Sequence, residues 1–498
     1  MVELKPNRTG PFPFPKSDPN VRKKDFSEVE LPYTKEEAMI EADRCLRCGT
    51  PVCIDACPVQ MDVRGMMDAV ARGDFTTAYY RIRETNPLLG VTARCCPQLE
   101  GLCEDACVVR WGGQPLSIGM VQRFVADWEQ NESRQPDPRA EPQAGKRVSV
   151  VGSGPAGLAA AELLVRYGHE VTIYEESEYL GGTAWYGIPD YHLPKGVLTY
   201  EADRIVGQGA EVKKGMKVGR DVSLSALLSE SDAVLVATGS RDVKKLDTPG
   251  AGLEGVYDGY GFLESVYGNG AAEYLKDEKL PLGEEILVVG GGDSALDCAR
   301  TALRLTQGHV VVAYRRTEKE MPADPIMVQE AKEEGIEFMF LSDPVMYVGE
   351  GSKVNGAVMA SMRLGEPDSS GRRHPEPVQG KDFRVKCDAV LLAIGRGPDS
   401  FLEKAGGLKA GPKGSIAIDD HYRTSMAGVF ATGDVATGET LVVKAMGHGR
   451  EAAQRVHEYL TLTEDRHVSL YERYYTRRAT EESYQNMLMG KEERLPPD

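Results

Sequence analysis

No run of eighteen apolar residues occurs anywhere in the 498-residue chain, so no helix of it is expected to span a bilayer, and no membrane partner is expected. The opening residues, MVELKPNRTGPFPFPK, lack the apolar core of a secretory signal, and the expectation is a cytoplasmic protein. Positive charge is in short supply: 59 Lys and Arg against 76 Asp and Glu leave a net charge of −17. That excludes nucleic acid or an anionic surface as a partner held by bulk electrostatics. The eight histidines are scattered, and no Ser/His/Asp array, zinc motif or carboxylate pair stands out, so no catalytic side chain is assigned. Beyond residue 107 the cysteines are Cys298 and Cys387, which form no CxxC pair. Dithiol–disulfide chemistry is thereby excluded from that part of the chain, and both read as core residues.

What is present begins with residues 148–175. A short apolar strand runs into Gly152-Ser153-Gly154-Pro155-Ala156-Gly157, an Ala- and Leu-rich helix extends to about Arg166, and a second strand ends on Glu175. This is the dinucleotide fingerprint in its required context of strand, glycine turn and helix. Gly152 permits the tight turn, Gly154 lets backbone approach a pyrophosphate, and Gly157 lets helix pack on strand. The helix N-terminus at Pro155 and Ala156 offers free N–H groups to phosphate, and Glu175 can hold ribose hydroxyls. A glycine turn of purely structural use is the rival reading.

A second fingerprint, ILVVGGGDSA, occupies residues 286–295, with Gly290, Gly292 and Ala295 in the glycine roles and Asp293 and Ser294 opening the helix. Its second strand ends in Tyr314-Arg315-Arg316 rather than on an acid. Two guanidiniums where the ribose carboxylate would stand suit a 2′-phosphate, so this half reads NADP rather than NAD. The bland alternative is a solvated basic turn. Return strands end at Thr238-Gly239 and, after residues 389–393, at Gly395. Gly181-Gly182-Thr183 and 187–189 read as loops over the first cofactor. The strand 428–434 delivers Gly433 and Asp434 to that cofactor, and the helix expected over 441–459 can aim its N-terminus there.

Eight of the ten cysteines fall between Cys45 and Cys107, which speaks for metal rather than disulfides. Cys45, Cys48, Cys53 and Cys57-Pro58 come first; Cys95-Cys96-Pro97, Cys103 and Cys107 follow. The Cys-Pro turns suit iron–sulfur ligation, while a zinc ribbon would want clean CxxC pairs and only Cys45/Cys48 form one. Free structural thiols are the third possibility. Thr34 and Glu37 predict a capped helix just before the first cysteines, and helical patterns cover 61–72 and 74–84. The expected domains are an extended N-terminal arm (1–33), a helical cysteine domain (34–128), a polar proline-bearing linker (129–146), a first dinucleotide domain (147–280 and 396–460), a second (281–395) and a C-terminal tail (461–498).

Together the two cysteine sets, GSGPAGL, YGIPDYHLPK, GGGDSALDCART, YRRTEKEMPA and ATGDV resemble the glutamate synthase small (beta) subunit family. That group is related to the N-terminal region of dihydropyrimidine dehydrogenase and to the large subunit of ferredoxin:NADP transhydrogenases. The resemblance covers about residues 34–460. It implies an α/β fold of two interleaved Rossmann-like domains, binding FAD and then NADPH, preceded by an α-helical domain with two 4Fe–4S clusters. Carried over, one cluster takes Cys45, Cys48, Cys53 and Cys107. The other takes Cys57, Cys96, Cys103 and a non-cysteine ligand. Gln122 stands where the relatives place a glutamine or glutamate, and a surface glutamine on an amphipathic helix is the rival reading. Two departures are the doubled Cys95-Cys96, which leaves the choice between them open, and Trp185, where relatives carry arginine. Hydride transfer from NADPH to flavin needs ring stacking, not a side-chain acid. With no amidotransferase cysteine and no barrel for a second substrate, the chain reads as an electron-input subunit. Its partner would be a larger catalytic subunit or another acceptor protein. The alternatives are a bifurcating transhydrogenase-type large subunit and, from another class, an assembly protein that keeps nucleotides for structure.

Overall fold

The computed structural model describes residues 15–97, 101–133, 145–243, 247–274, 280–367, 372–399 and 407–461. The cysteine domain is built of short helices whose starts are written in the sequence. Thr34 and Glu37 form a reciprocal capping box on Lys35–Asp43, while Asp62 and Asp74 each accept a backbone N–H three residues on, opening Val63–Ala71 and Phe75–Arg83. Their apolar faces, with Leu89–Cys95 and Ile118–Trp128, bury Met66, Met67, Val70, Tyr79, Ile82, Val91, Val121 and Val125 in one core. The cysteines sit at helix ends and turns, where a thiol can project without breaking a helix.

The first dinucleotide half is a five-stranded parallel sheet ordered Val429–Ala431, Ala233–Val236, Arg147–Val151, Glu170–Tyr174, Glu211–Lys213. Continuous apolar runs such as Ala233–Val236 are buried along their whole length, as a sheet covered on both faces requires. Helix Pro155–Arg166 covers one face and helix Val442–Thr461 lies on it. They touch closely because a Cβ on Gly449 would stand 2.2 Å from Ala156 O.

The second half repeats the scheme, in the order Val256–Asp258, Ala389–Leu392, Glu285–Val289, His309–Tyr314, Glu337–Phe340. A three-stranded antiparallel unit, Ser342–Glu350, Lys353–Pro367 and Arg373–Lys386, is inserted before the return strand.

The expected boundary at 280/281 falls one strand and two helices too late. Val256–Asp258 pairs in parallel with Ala389–Leu392, and Phe262, Leu263, Val266 and Tyr267 belong to the second half's core. The strand is three residues long and carries no periodic signal, which is why pattern reading passes over it. The expected linker also begins too early. Glu129–Ser133 stays helical, and buried Glu129 accepts from Tyr200 Oη at 2.9 Å and pairs with Arg204; residues 134–144 lie outside the described residues. The arm is not simply extended: it contains one helical turn, Pro19–Arg22, and lies on the chain's own surface. Its first fourteen residues and the tail beyond Thr461 lie outside the description.

Candidate dinucleotide and cluster sites

At the first fingerprint the glycines are required by contact. Gly152 has φ +101°, and a Cβ there would stand 2.5 Å from Ala237 O; one on Gly157 would stand 2.0 Å from Gly152 O. A Cβ on Gly154 would meet nothing within 4 Å, so that face is open for a phosphate. The cavity over this turn is lined by Gly152, Gly154, Pro155, Ala156, Glu175, Gly182, Thr183, Thr238, Gly239, Gly433 and Asp434, all expected from sequence. It is also lined by Ser240, Asp399 and Thr440, which sequence reading missed because only the return of distant strands brings them there. Glu175 is buried, accepting from Ser153 N (2.9 Å), Ser153 Oγ (2.6 Å) and Ser177 N (2.8 Å). Three oxygens lining the cavity, Thr238 Oγ1, Ser240 Oγ and Asp434 Oδ1, are buried without a hydrogen-bond partner. Burial, and then the charge of Glu439, pushes the Asp434 carboxyl up to about 7. Buried polar atoms left unsatisfied are costly, and a hydroxyl-rich cofactor chain would satisfy them. The residues fit a dinucleotide.

The second fingerprint has the same backbone. Gly290 has φ +149°, a Cβ on it would stand 2.2 Å from Ala393 O, and Ala295 is buried where the third glycine would sit. Gly395, at φ +88°, lies in the turn just beyond the return strand Ala389–Leu392. Asp293 and Ser294 open helix Asp293–Thr306 and are exposed. Arg315 and Arg316 do not act as a matched pair. Arg315 is exposed, whereas Arg316 is buried and its Nε donates to Arg373 O at 2.8 Å in the inserted antiparallel unit. The expectation of two equivalent guanidiniums is corrected: adjacent residues past a strand end point apart, and only one faces solvent.

Between the halves lies a second cavity, lined by Thr183, Gly187, Ile188 and Leu441 of the first, by Asp293, Ser294 and Asp297 of the second, and by Arg94, Cys95, Cys96 and Pro97 of the cysteine domain. Asp297 is one turn beyond Asp293 on the same helix, a spacing that could have flagged it. Its Oδ1 has no partner, and burial, then the charge of Asp293, pushes its carboxyl up to about 8.

The cysteines fall into two groups. Cys45, Cys48, Cys53 and Cys107 line one small apolar cavity with Val52, Val63, Leu116 and Ile118. Burial, and then neighbouring Cys107 and Cys45, pushes the Cys53 thiol up to about 12. Cys96 and Cys103 are raised well above the usual thiol range by burial first; Cys57 adds to both, and Glu104 precedes it at Cys103. Crowded, buried thiols of this kind release their protons when cationic iron takes their place. Cys95 answers to other neighbours. Burial pushes it up to about 12, and its charged surroundings are Lys195, Arg94, Asp297 and Glu201, on the side of the interdomain cavity. Among the described residues no three His, Cys, Asp or Glu side chains converge on a single ion position. In a cubane each thiolate holds a different iron, so its ligands stand wider than those of a zinc ion. Gln122 is buried, and its Nε2 donates to Leu89 O (2.7 Å) and Thr92 Oγ1 (2.8 Å), on the helix that ends at Cys95.

A two-dinucleotide α/β oxidoreductase carrying an N-terminal iron–sulfur domain is the class these features define. Residues 146–449 match the pyridine nucleotide-disulphide oxidoreductase family, and residues 22–134 match the dihydropyrimidine dehydrogenase domain II, 4Fe-4S cluster family. The chain is 36% identical over 462 residues to the glutamate synthase (NADPH) small chain of Escherichia coli, covering 90% of this chain and 96% of that one. It is 36% identical over 440 residues to the NADP(+)-dependent formate dehydrogenase subunit beta of Moorella thermoacetica, covering 82% of this chain and 60% of that one. Mycobacterium tuberculosis FprA in complex with NADPH shares the fold, with TM-score 0.55 at 17% identity over 67% of this chain and 90% of that one. The chain belongs to the pyridine nucleotide-disulphide oxidoreductase family, in its glutamate synthase small-chain branch. It is an NADPH-dependent flavin oxidoreductase with a 4Fe–4S domain. No helix among the described residues is long and apolar enough to cross a membrane.

Proposed function

We propose that the chain is the electron-input subunit of a hetero-oligomer, taking electrons from NADPH and delivering them one at a time, through two 4Fe–4S clusters, to a larger partner subunit. Bound FAD supplies the conversion of a hydride into single electrons. The observation that carries this reading is the interdomain cavity, whose walls come at once from the FAD half, the NADPH half and the Cys95-Cys96 turn.

The residues divide the work. Helix Pro155–Arg166 receives the FAD pyrophosphate at Gly154, Glu175 holds the ribose, and Asp434, Thr238 and Ser240 supply acceptors to the rest of the cofactor. Gly290, Gly292, Asp293 and Ser294 receive NADPH, and Arg315 its 2′-phosphate. Cys45, Cys48, Cys53 and Cys107 hold one cluster; Cys57, Cys96, Cys103 and Gln122 hold the other. Cys96 is chosen over Cys95 because Cys57 is among its neighbours, while Cys95 lies among Lys195 and Asp297. Both donors of the Gln122 amide are spent on the Leu89–Cys95 helix, which leaves its oxygen for iron.

Anaerobically purified chain is expected to hold about eight irons and eight sulfides. NADPH should bleach its flavin within seconds, and the chain alone should form no glutamate from 2-oxoglutarate and glutamine. Stoichiometric zinc without acid-labile sulfide, or an unreactive flavin, would contradict the proposal. Gln122→Cys should shift the EPR signal of one cluster and leave the other unchanged; unaltered spectra in both Gln122→Cys and Gln122→Ala would remove Gln122 from the ligand set.

A further inference from the structure

The described part of the N-terminal arm touches all three modules at once. It folds back on itself, with Leu31 N donating to Pro15 O at 2.8 Å, Ser17 N to Val29 O at 3.0 Å, and Lys16 bridged to Glu30. The resulting loop plants its tip on the NADPH half. Arg22, 2% exposed, pairs through Nε with Glu334 (2.9 Å) and through Nη2 with Glu333 (2.9 Å); Arg304 Nε donates to Asp25 O at 3.0 Å. Its returning limb also reaches the other two modules. Glu28 accepts from Arg94 (2.7 Å) and Arg123 (2.8 Å) of the cysteine domain, Arg94 being next to Cys95. Val29 N donates to Tyr191 O of the FAD half at 2.9 Å.

These contacts complete something. Helix Pro325–Glu334 presents Glu330, Glu333 and Glu334, and the NADPH half itself offers them Arg300 and Arg304. Both guanidiniums also stack on the Tyr191 ring across the domain boundary, at 4.8 and 4.0 Å. Three carboxylates against two cations leave an excess of negative charge, which Arg22 and Lys16 (2.7 Å from Glu330) offset. By contrast, the chain passes between the two halves at Asp242–Val243 and Arg396–Gly397, which pair as a ladder only two residues long. So narrow a connection leaves the angle between the halves to contacts outside it: the Tyr191 stack, Tyr191 Oη to Asp297 O (3.4 Å), Trp185 Nε1 to Gly268 O (3.2 Å), Ala271 N to Asp190 Oδ2 (3.2 Å), and the arm.

We propose that the loop 15–31 is a positioning strap, in which Arg22 and Glu28 hold the NADPH half at hydride-transfer distance from the FAD half. This rests on NADPH delivering its hydride in the interdomain cavity, as in the proposed function. Hydride transfer falls steeply with small displacements, whereas NADPH binding to its own half does not depend on where the FAD half stands. Binding and transfer therefore separate when the strap is cut.

The test uses the full FAD-loaded chain and the variants Arg22→Ala, Arg22→Lys and Glu28→Gln. Equilibrium NADPH affinity should stay within about twofold, while the rate of flavin bleaching falls roughly tenfold in Arg22→Ala and Glu28→Gln. Arg22→Lys should recover part of the rate. Backbone hydrogen exchange should rise at Tyr191–Leu193 and over 300–307, a readout independent of NADPH. If the wild-type flavin is not bleached, the proposed function fails, while raised exchange in the variants still supports the strap. Should Arg22→Ala not fold, Glu28→Gln decides, since Glu28 is partly exposed. A folded Glu28→Gln chain with wild-type bleaching and exchange overturns the proposal.

Discussion

The two dinucleotide halves share a backbone and differ in what they do with it. In each, a glycine at positive φ ends the first strand with the return strand's carbonyl against it, Ala237 O in one and Ala393 O in the other. Beyond that turn they part. The FAD half lines its cavity with a carboxylate already anchored by Ser153 and Ser177 and with three buried oxygens that have no hydrogen-bond partner. The NADPH half leaves Asp293, Ser294 and Arg315 exposed. A site rich in buried oxygens without partners suits a cofactor that stays, and one whose polar residues are already solvated suits a nucleotide that exchanges every turnover.

The strongest way to break that contrast is to fill each turn. A valine at Gly152 or Gly290 would push against main chain that cannot retreat, at an overpacking cost of about 1–3 kcal/mol or more. Gly152→Val should be purified without flavin. Gly290→Val should keep its flavin and its reduction by dithionite, yet lose reduction by NADPH by roughly a hundredfold, about 2.7 kcal/mol of barrier. Flavin retained in Gly152→Val would mean that the first turn does not carry the cofactor.

The next effect is at the ends of the second strands. Glu175→Ala deletes a carboxylate accepting three hydrogen bonds, and with about 1.5–3 kcal/mol per charged bond, FAD affinity should fall about tenfold to a hundredfold. Arg315→Ala should raise the KM for NADPH roughly tenfold, about 1.4 kcal/mol, and leave that for NADH unchanged. Arg316→Ala should affect both nucleotides alike, because its guanidinium serves the inserted antiparallel unit. A selective NADPH defect in Arg316→Ala instead would reverse the assignment of the two arginines.

Much of this was legible in the chain because it is local. The strand–glycine–helix turns, the capping box at Thr34 and the two cysteine groups are written within short windows, and short-range sterics and hydrogen bonding decide them. What sequence could not supply is assembled over distance. Thr440 and Asp399 reach the FAD cavity only after the chain has built the second half and come back, and Val256–Asp258 becomes a strand only because Ala389–Leu392 lies beside it. The choice between Cys95 and Cys96 is similar: adjacent side chains diverge, and which of them has Cys57 for a neighbour depends on packing that no local pattern records. The arm's partners in the NADPH half lie some three hundred residues away, beyond any pattern in the arm itself.

The smallest predicted effect sharpens the comparison at one repeated dipeptide. Gly168-His169 and Gly308-His309 occupy equivalent places, each bringing a histidine to the start of the half's second strand. His169 is buried, with Nδ1 accepting from Lys146 N at 3.2 Å. Its proton therefore sits on Nε2, which donates to His457 Nδ1 at 2.9 Å, and the His457 ring stacks on Tyr167 at 4.2 Å. A second proton would have to face a backbone N–H, and burial, then His457, pushes the His169 pKa down to about 4. His309 is open to solvent and pairs with Glu285 (2.8 Å) and Glu337 (3.2 Å); the hydrogen bond to Glu285 leads the causes that raise its pKa. The signs are opposite. As pH falls from about 6.5 towards 4, the unfolded chain protonates His169 and the folded one does not, so stability falls across that window. The His309 contribution is present below about pH 6.5 and is lost as pH rises through its elevated value. His169→Gln should therefore flatten the acid-side fall of Tm by about 2 °C, while His309→Gln should cost a smaller amount, seen only at the acid end. Thermal melts of both variants between pH 4.5 and 8 check this; parallel Tm profiles for wild type and His169→Gln would show that the buried pair does not titrate with folding.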